Sequence, residues 1–425
     1  MNAQRDLFGH PRGLTVLFLT NMWEQFSYYG MRALLIYYMT KQLLLGQEHA
    51  SYIYGAYTAC AYFTPILGGI IADRYLGKRR AVIIGATIMA AGHFMMAFES
   101  HFFLALATIA LGNGLFLPTL PSQVGDLYKR EDPRRGWAFN VYYVGVNIGG
   151  FLAPLACGTV GELYGWHYGF GLAGIGMLAG LAIYLSGQRH LPDEAPKQPA
   201  AQAEQRGFDR QTLLVLLGIG VAVTLFRSAY EQVGNTVALW ADSGIDRHVA
   251  GVVIPMTWFQ SLNPLFVMLM TPPLLAYWSR RAQAGHDQPP ALRMALGALI
   301  VAGAYLFLAG VSSMADGQLS SWIWLVFFFV VYTIGELFIL PTGLGLFARI
   351  APRHLGATTV GAWFLITFCG SLSAGLIGSL WSSMQPTAFY TLLAALAAMA
   401  AGVLWLMNTS TEGIDRIRRI PQQSE

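Results

Sequence analysis

Five ionisable side chains, Glu24, Arg32, Arg227, Glu231 and Glu336, stand inside stretches made almost wholly of apolar residues. In hydrocarbon a charged group costs at least ~2.5 kcal/mol on insertion scales, so each such group needs a partner or a task. A carboxyl group there can take up and release a proton, and a nearby cation can hold it ionised or attract the acid of a solute. Around Glu24 the sequence reads TNMWEQFSYYGMRALL (20–35). At 100° per residue, Asn21, Glu24, Gln25, Tyr28, Tyr29 and Arg32 point within about 80° of one direction. Met22, Trp23, Phe26, Gly30 and Met31 fill the rest. Such a polar stripe is expected to face a watery cavity. The alternative is a seam buried against another helix, with Glu24 satisfied by a fixed partner.

Arg227 and Glu231, in FRSAYEQVGNT (226–236), stand at i and i+4 and can pair on one helix face. That pair is either structural throughout or opened during function. Glu336, in GELFILPTG (335–343), follows a glycine and precedes Pro341, which removes a backbone donor. A broken helix beside an acid is expected to form a central solute site; the alternative is an acid capping a kink. Neutral polar groups accompany them. Asn140, Tyr143 and Asn147 share a face, with Gly145, Gly149 and Gly150 permitting close packing. Gln260 and Asn263 precede Pro264, Trp363 lies near Gly361, and His93 sits in an apolar run with nothing marking it as a proton carrier.

The elements that hold these groups follow from composition. Of 425 residues, 55% are hydrophobic types and 11% are charged, against about 25% charged in soluble domains. Too few charges remain to solvate a globular surface, so most of the surface is expected to meet lipid. The net charge of +4 is scattered in short clusters, which argues against a nucleic-acid partner. Cys60, Cys157 and Cys369 lie in apolar stretches and give no disulfide framework. The first thirteen residues hold Arg5, Asp6, His10 and Arg12, and the apolar run behind them is read as a spanning helix rather than a cleaved signal.

Apolar runs of about 20 residues or more fall at 14–45, 50–75, 80–98, 102–127, 136–160 and 166–187, and again at 211–240, 248–279, 292–313, 320–348, 355–383 and 386–408. The sequence therefore predicts an all-α integral membrane protein of twelve spans. Residues 1–187 form an N-terminal six-helix bundle, 188–210 a hydrophilic cytoplasmic linker and 211–425 a C-terminal six-helix bundle. With both termini cytoplasmic, 22 of the 26 Lys and Arg fall in inside segments. Only Lys41 and Arg247 fall outside, and Arg32 and Arg227 lie within spans. That bias fits a multi-pass protein of the cell inner (plasma) membrane.

Two bundles joined by a cytoplasmic linker resemble the plan of the major facilitator superfamily, and GGIIADRYLGKRR (68–80) looks like its loop between the second and third helices. Here three residues separate Asp73 from Gly77, one more than the general pattern. Within that superfamily the chain resembles the proton-dependent oligopeptide transporters over nearly its whole length. WEQFSYYGMRALL, YFTPILGGIIADRYLG (62–77), FNVYYVGVNIGGF (139–151), YEQVGNT, WFQSLNPLF (258–266), GELFILPTGL and VGAWFL (360–365) carry the likeness, in order. The resemblance implies symport of di- and tripeptides with protons by alternating access. It implies that Tyr28, Tyr29 and Tyr62 line a pocket. Asn147, Asn263 and Glu336 would receive the peptide amino terminus, and Arg32 would attract the carboxylate. Trp363 would shape a side-chain pocket, and Glu231 would couple protons; Glu24, Glu336 and Arg227 are also read as proton-coupling groups, Arg227 from the residues themselves and not from the resemblance. No cofactor, metal or catalytic residue is implied, and the protein is read as a monomer in the bilayer.

The departures are specific. The family's E-x-x-E-R reads Asn21, Glu24, Gln25 here, so an acid and an arginine are replaced by amides. GNGLFLP (112–118) has Leu117 where the family places a lysine expected to pair with the acid on the seventh helix. Arg227, at a position commonly aromatic in the family, is expected to replace that cation from Glu231's own helix. A 23-residue linker cannot hold the two extra helices of many bacterial members. The open alternatives are a major-facilitator transporter of nitrate, a drug or a sugar derivative, and, less favoured, a sensor or intramembrane enzyme. For an enzyme the spans offer no HExxH or His/Asp constellation.

Overall fold

The computed structural model describes residues 9–129, 132–192, 210–249, 251–286, 288–350 and 356–419. Arg5, Arg130, Lys197, Arg206, Arg353 and linker residues 193–209 lie outside the described residues. The described chain is helical, as backbone groups in hydrocarbon require when each segment must satisfy its own donors and acceptors. The helices are α1 (Arg12–Tyr37), α2 (Gln47–Ile71), α3 (Lys78–Met95), α4 (Phe102–Phe116), α5 (Thr119–Asp126), α6 (Arg134–Ala153), α7 (Thr159–Tyr164) and α8 (Trp166–Gly187). They continue as α9 (Arg210–Tyr230), α10 (Thr236–Ser243), α11 (Leu262–Gln283), α12 (Pro290–Ala315), α13 (Trp322–Ile350), α14 (Gly356–Gly378) and α15 (Pro386–Arg419). Short 3₁₀ and π turns join several of these helices, and two strand pairs of two residues each, Ile245–Asp246 with Ser320–Ser321 and His248–Val249 with Val252–Val253, are the described strands.

Among the described residues, nine helical stretches are long and apolar enough to cross a membrane. The first, third and eighth expected spans are the helices α1, α3 and α11, which are less apolar. Glu24 and Arg32 lie in α1, Lys78, Arg79 and Arg80 open α3, and Pro272, Pro273, Arg280 and Arg281 lie in α11. At 1.5 Å per residue, the 26 residues of α1 extend about 39 Å.

The extra residue in the 68–80 loop has a structural cause. After α2 the chain makes a π turn over Ala72–Leu76, closed by the Gly77 N–H donating to the Ala72 carbonyl at 2.8 Å. A π turn inserts one residue into a helix without breaking it, so Gly77 still ends the segment. Its φ of +81° is open to glycine at little strain. Upstream, a Cβ on Gly68 would run into the Gly114 carbonyl, so glycine there lets α2 lie against α4.

The chain divides into two compact units. Unit 1 comprises residues 1–46, 60–198 and 247–265. Here α1 packs on α6 and α8, and α3 on α4 and α8, around a core that includes Leu17, Val82, Met89, Phe116, Leu120 and Tyr184. The 247–265 segment is fastened by the Glu162 carboxylate, which accepts from the Met256 and Thr257 backbone N–H groups at 3.0 and 2.9 Å. Trp258 adds an indole bond to the Thr159 hydroxyl at 2.7 Å.

Unit 2 comprises residues 47–59, 199–246 and 266–425. In it α12 packs against α13 and α15, and α9 against α14 and α15. Tyr305, Phe328, Tyr332 and Tyr390 form a buried aromatic column with ring centroids 5.3–6.3 Å apart. The first half of α2 belongs to this unit. Ser51 donates to the Asn235 side-chain oxygen at 2.9 Å, Gln47 to the Gly378 carbonyl at 2.8 Å, and Gly55 abuts Gly375.

Candidate functional site

Each unit holds some of the ionisable groups singled out in the sequence. In unit 1 the α1 stripe divides in two. Asn21 and Glu24 are 1% exposed and Gln25 is 8% exposed, whereas Tyr28, Tyr29 and Arg32 are half-buried. The cause lies on α6, where a Cβ on Gly149 would strike the Met22 carbonyl and one on Gly145 would crowd Phe18. With glycine at both places, α6 closes over the first half of the stripe. Gln25 donates to Glu24 Oε2 at 2.7 Å, and Asn21 to the Tyr142 carbonyl at 3.2 Å. The cavity-facing reading therefore needs correction for Asn21, Glu24 and Gln25. They form the buried seam, and an amide rather than a cation is Glu24's hydrogen-bond donor there.

Of the other elements of this unit, α6 and the start of α11 lie beside the second half of the stripe. The Tyr28 and Tyr29 rings meet edge to face with centroids 5.4 Å apart. Gly150 leaves room against the Tyr29 ring and Pro264, which places Tyr29 near the start of α11 and its Asn263. Gln260 donates to the Ala33 carbonyl at 3.1 Å, and Ser261 to the Phe151 carbonyl at 2.8 Å, so α1, α6 and the start of α11 are bound together. Asn147 is buried and donates back to the Tyr143 carbonyl at 3.0 Å. Tyr62 is half-buried on α2.

In unit 2 the expected pair is formed. Arg227 Nη2 donates to Glu231 Oε1, with side chains 7% and 1% exposed. Gly370 on α14 makes the slot, since a Cβ there would meet the Arg227 stem. The helix changes character at Glu231: α9 ends at Tyr230, a 3₁₀ turn follows over Glu231–Gly234, and α10 begins at Thr236.

Glu336 is buried and accepts a hydrogen bond from the Tyr230 hydroxyl at 2.9 Å. Its helix does not break where the sequence predicted a break. α13 runs unbroken from Trp322 to Ile350 with Pro341 inside, because the ring removes only one donor from a 29-residue helix. Trp363 is half-buried and packs on Gly343 and on the Phe347 ring at 5.6 Å, about two turns along α13 from Glu336.

Sequence reading does not single out Tyr230, Tyr305 or Tyr332. Tyr230 touches both acidic sites of the unit, since the Arg227 guanidinium lies 5.5 Å from its ring centroid. Its signal was a phenol three residues after Arg227 and one before Glu231. Tyr332 likewise stands four residues before Glu336.

Helices this apolar, holding a buried ion pair and a buried acid, mark a multi-pass membrane protein that keeps charge inside its spans. The comparisons with known proteins agree. A family model described as "PTR2: POT family" matches residues 79–205 and 198–393. A peptide transporter of Yersinia enterocolitica is 32% identical over 95% of each chain. A di-/tripeptide transporter of Lactococcus lactis subsp. cremoris is 31% identical over 85% of this chain and 88% of that one. The crystal structure of a peptide transporter POT in complex with sulfate superposes with a TM-score of 0.90 at 29% identity, covering 97% of both chains. The chain belongs to the POT family, the proton-dependent oligopeptide transporters, on the major facilitator fold.

Proposed function

We propose that this protein is a proton-coupled symporter that imports di- and tripeptides by alternating access. The observation that carries the reading is the likeness to named peptide transporters along nearly the whole chain, at 32% identity for the Yersinia protein. Nitrate, drug and sugar-derivative transport are not favoured by that likeness. In this reading three less apolar helices, α1, α3 and α11, join the nine apolar stretches to make twelve spans, in two halves with a cytoplasmic linker and cytoplasmic termini. The protein is a monomer of the bacterial inner membrane.

Tyr28, Tyr29 and Tyr62 line the peptide pocket, and Arg32 attracts the carboxylate. Asn147, Asn263 and Glu336 receive the peptide amino terminus, and Trp363 shapes the side-chain pocket. Glu231, paired with Arg227, is the proton-coupling acid, and Glu24 participates from the seam. The reading of Arg227 as a cation supplied from Glu231's own helix is supported by the bond between them. A competition screen on purified protein tests the substrate class. Dialanine and trialanine should displace a labelled dipeptide, whereas single amino acids, nitrate and hydrophobic cations should not. Displacement by the cations but not the peptides would overturn it.

A further inference from the structure

We propose that Tyr230 is a positioning residue that ties Glu336 to the Arg227–Glu231 pair, so that the two acids respond as one unit to a proton or a peptide amine. The proposal rests on the symporter reading above. Its basis is the reach of one side chain. The Tyr230 hydroxyl donates to Glu336 Oε1 at 2.9 Å, while its ring lies 5.5 Å from the guanidinium that holds Glu231. Glu336 and Glu231 sit on different helices, and Tyr230 touches Glu336 directly and Glu231 through Arg227.

Tyr230 is itself held from three sides. It is the last residue of α9, where the α ladder stops and the final carbonyls lose their helical partners. Two phenols take those places: Tyr305 donates to the Ala229 carbonyl at 2.6 Å, and Tyr332 to the Tyr230 carbonyl at 2.8 Å. The Tyr332 ring also stacks on Tyr230 at 5.6 Å and 17°. With backbone and ring fixed, rotation of the hydroxyl hydrogen is the freedom left. A phenol donates to a carboxylate and accepts from a carboxylic acid, so it stays bonded to Glu336 in either protonation state by reversing direction. That reversal changes the dipole of the ring on which Arg227 rests, and with it the hold of Arg227 on Glu231.

The test uses the full-length protein in proteoliposomes with labelled dialanine. Tyr230→Phe keeps the ring and removes only the hydroxyl. Gradient-driven uptake should fall about tenfold, the effect of losing one hydrogen bond to a charged group, while counterflow falls less than about threefold. Equal losses in both assays, or no loss in either, overturn the proposal. A second measurement needs no transport. In detergent, the melting shifts of Arg227→Met and Glu336→Gln should be non-additive, and should become additive in the Tyr230→Phe background. Additivity in both backgrounds, or unchanged coupling without the hydroxyl, refutes the link. If wild-type protein takes up no dialanine, the symporter reading fails, and the melting cycle alone decides the role of Tyr230.

Discussion

Removing Arg227 should expose how strongly its buried pair is coupled. In Arg227→Met the stem still fills the slot beside Gly370, but Glu231, 1% exposed, loses its cation. Breaking a buried pair from one side costs about 3–5 kcal/mol, and the lost stacking on Tyr230 adds ~0.5–2 kcal/mol. Glu231→Gln should also destabilise, because it removes the charge opposite the buried guanidinium. The double variant removes both charges, so its loss should be ~1–2 kcal/mol rather than the sum, a coupling of several kcal/mol. For units of roughly two hundred residues, 1 kcal/mol corresponds to about 2–4 °C. Each single variant should then melt on the order of 10 °C lower, and the double variant should recover most of that. Melting curves of detergent-purified protein, with the four proteins side by side, measure it. Shifts that add to within ~0.5 kcal/mol would refute the pairing argument.

Three further outcomes follow from the same physics. Glu336→Gln and Glu231→Gln should each abolish gradient-driven uptake, and Glu231→Gln should keep counterflow, which moves no net protons; full accumulation by both removes these acids from coupling. Gly68→Ala pushes a Cβ into the Gly114 carbonyl and should cost ~1–3 kcal/mol, read as a lowered melting temperature; an unchanged one would mean α2 and α4 are not tightly apposed. The Arg134 guanidinium beside Asp132 holds that half-buried carboxyl below its usual range, and Arg134 also donates to the Gly9 carbonyl at 2.9 Å. A lowered folded value gives stabilisation that is present above the ordinary aspartate pKa and lost as pH falls through the lowered one. Protection factors of the amides around Gly9, with the intrinsic pH dependence of exchange divided out, should therefore hold at pH 5–7 and fall below about pH 4. A fall near pH 6 would assign the tether to another group.

What could be read from the sequence was mostly local. Arg227 and Glu231 pair because i,i+4 residues share a helix face, and no tertiary knowledge is needed to see it. Gly77 could be recognised as the end of the loop motif. The π turn that absorbs the extra residue before it could not, because π and α turns accept the same residues. The division of the α1 stripe was hidden for a different reason. Gly145 and Gly149 announce close packing, but which helix they admit, and over which half of α1, is settled only when α6 lands. Tyr230 was missed because its acceptor, Glu336, lies 106 residues away. Pro341 misled in the opposite direction, since a long, well-packed helix absorbs one missing donor.

The central claim is that a proton gradient drives peptide into the cell through this chain. It is tested most directly by uptake of labelled dialanine into proteoliposomes under an inward proton gradient, with and without a protonophore. Accumulation above equilibrium that collapses with the protonophore is the predicted result. Equilibration without accumulation, or accumulation the protonophore leaves untouched, would contradict it.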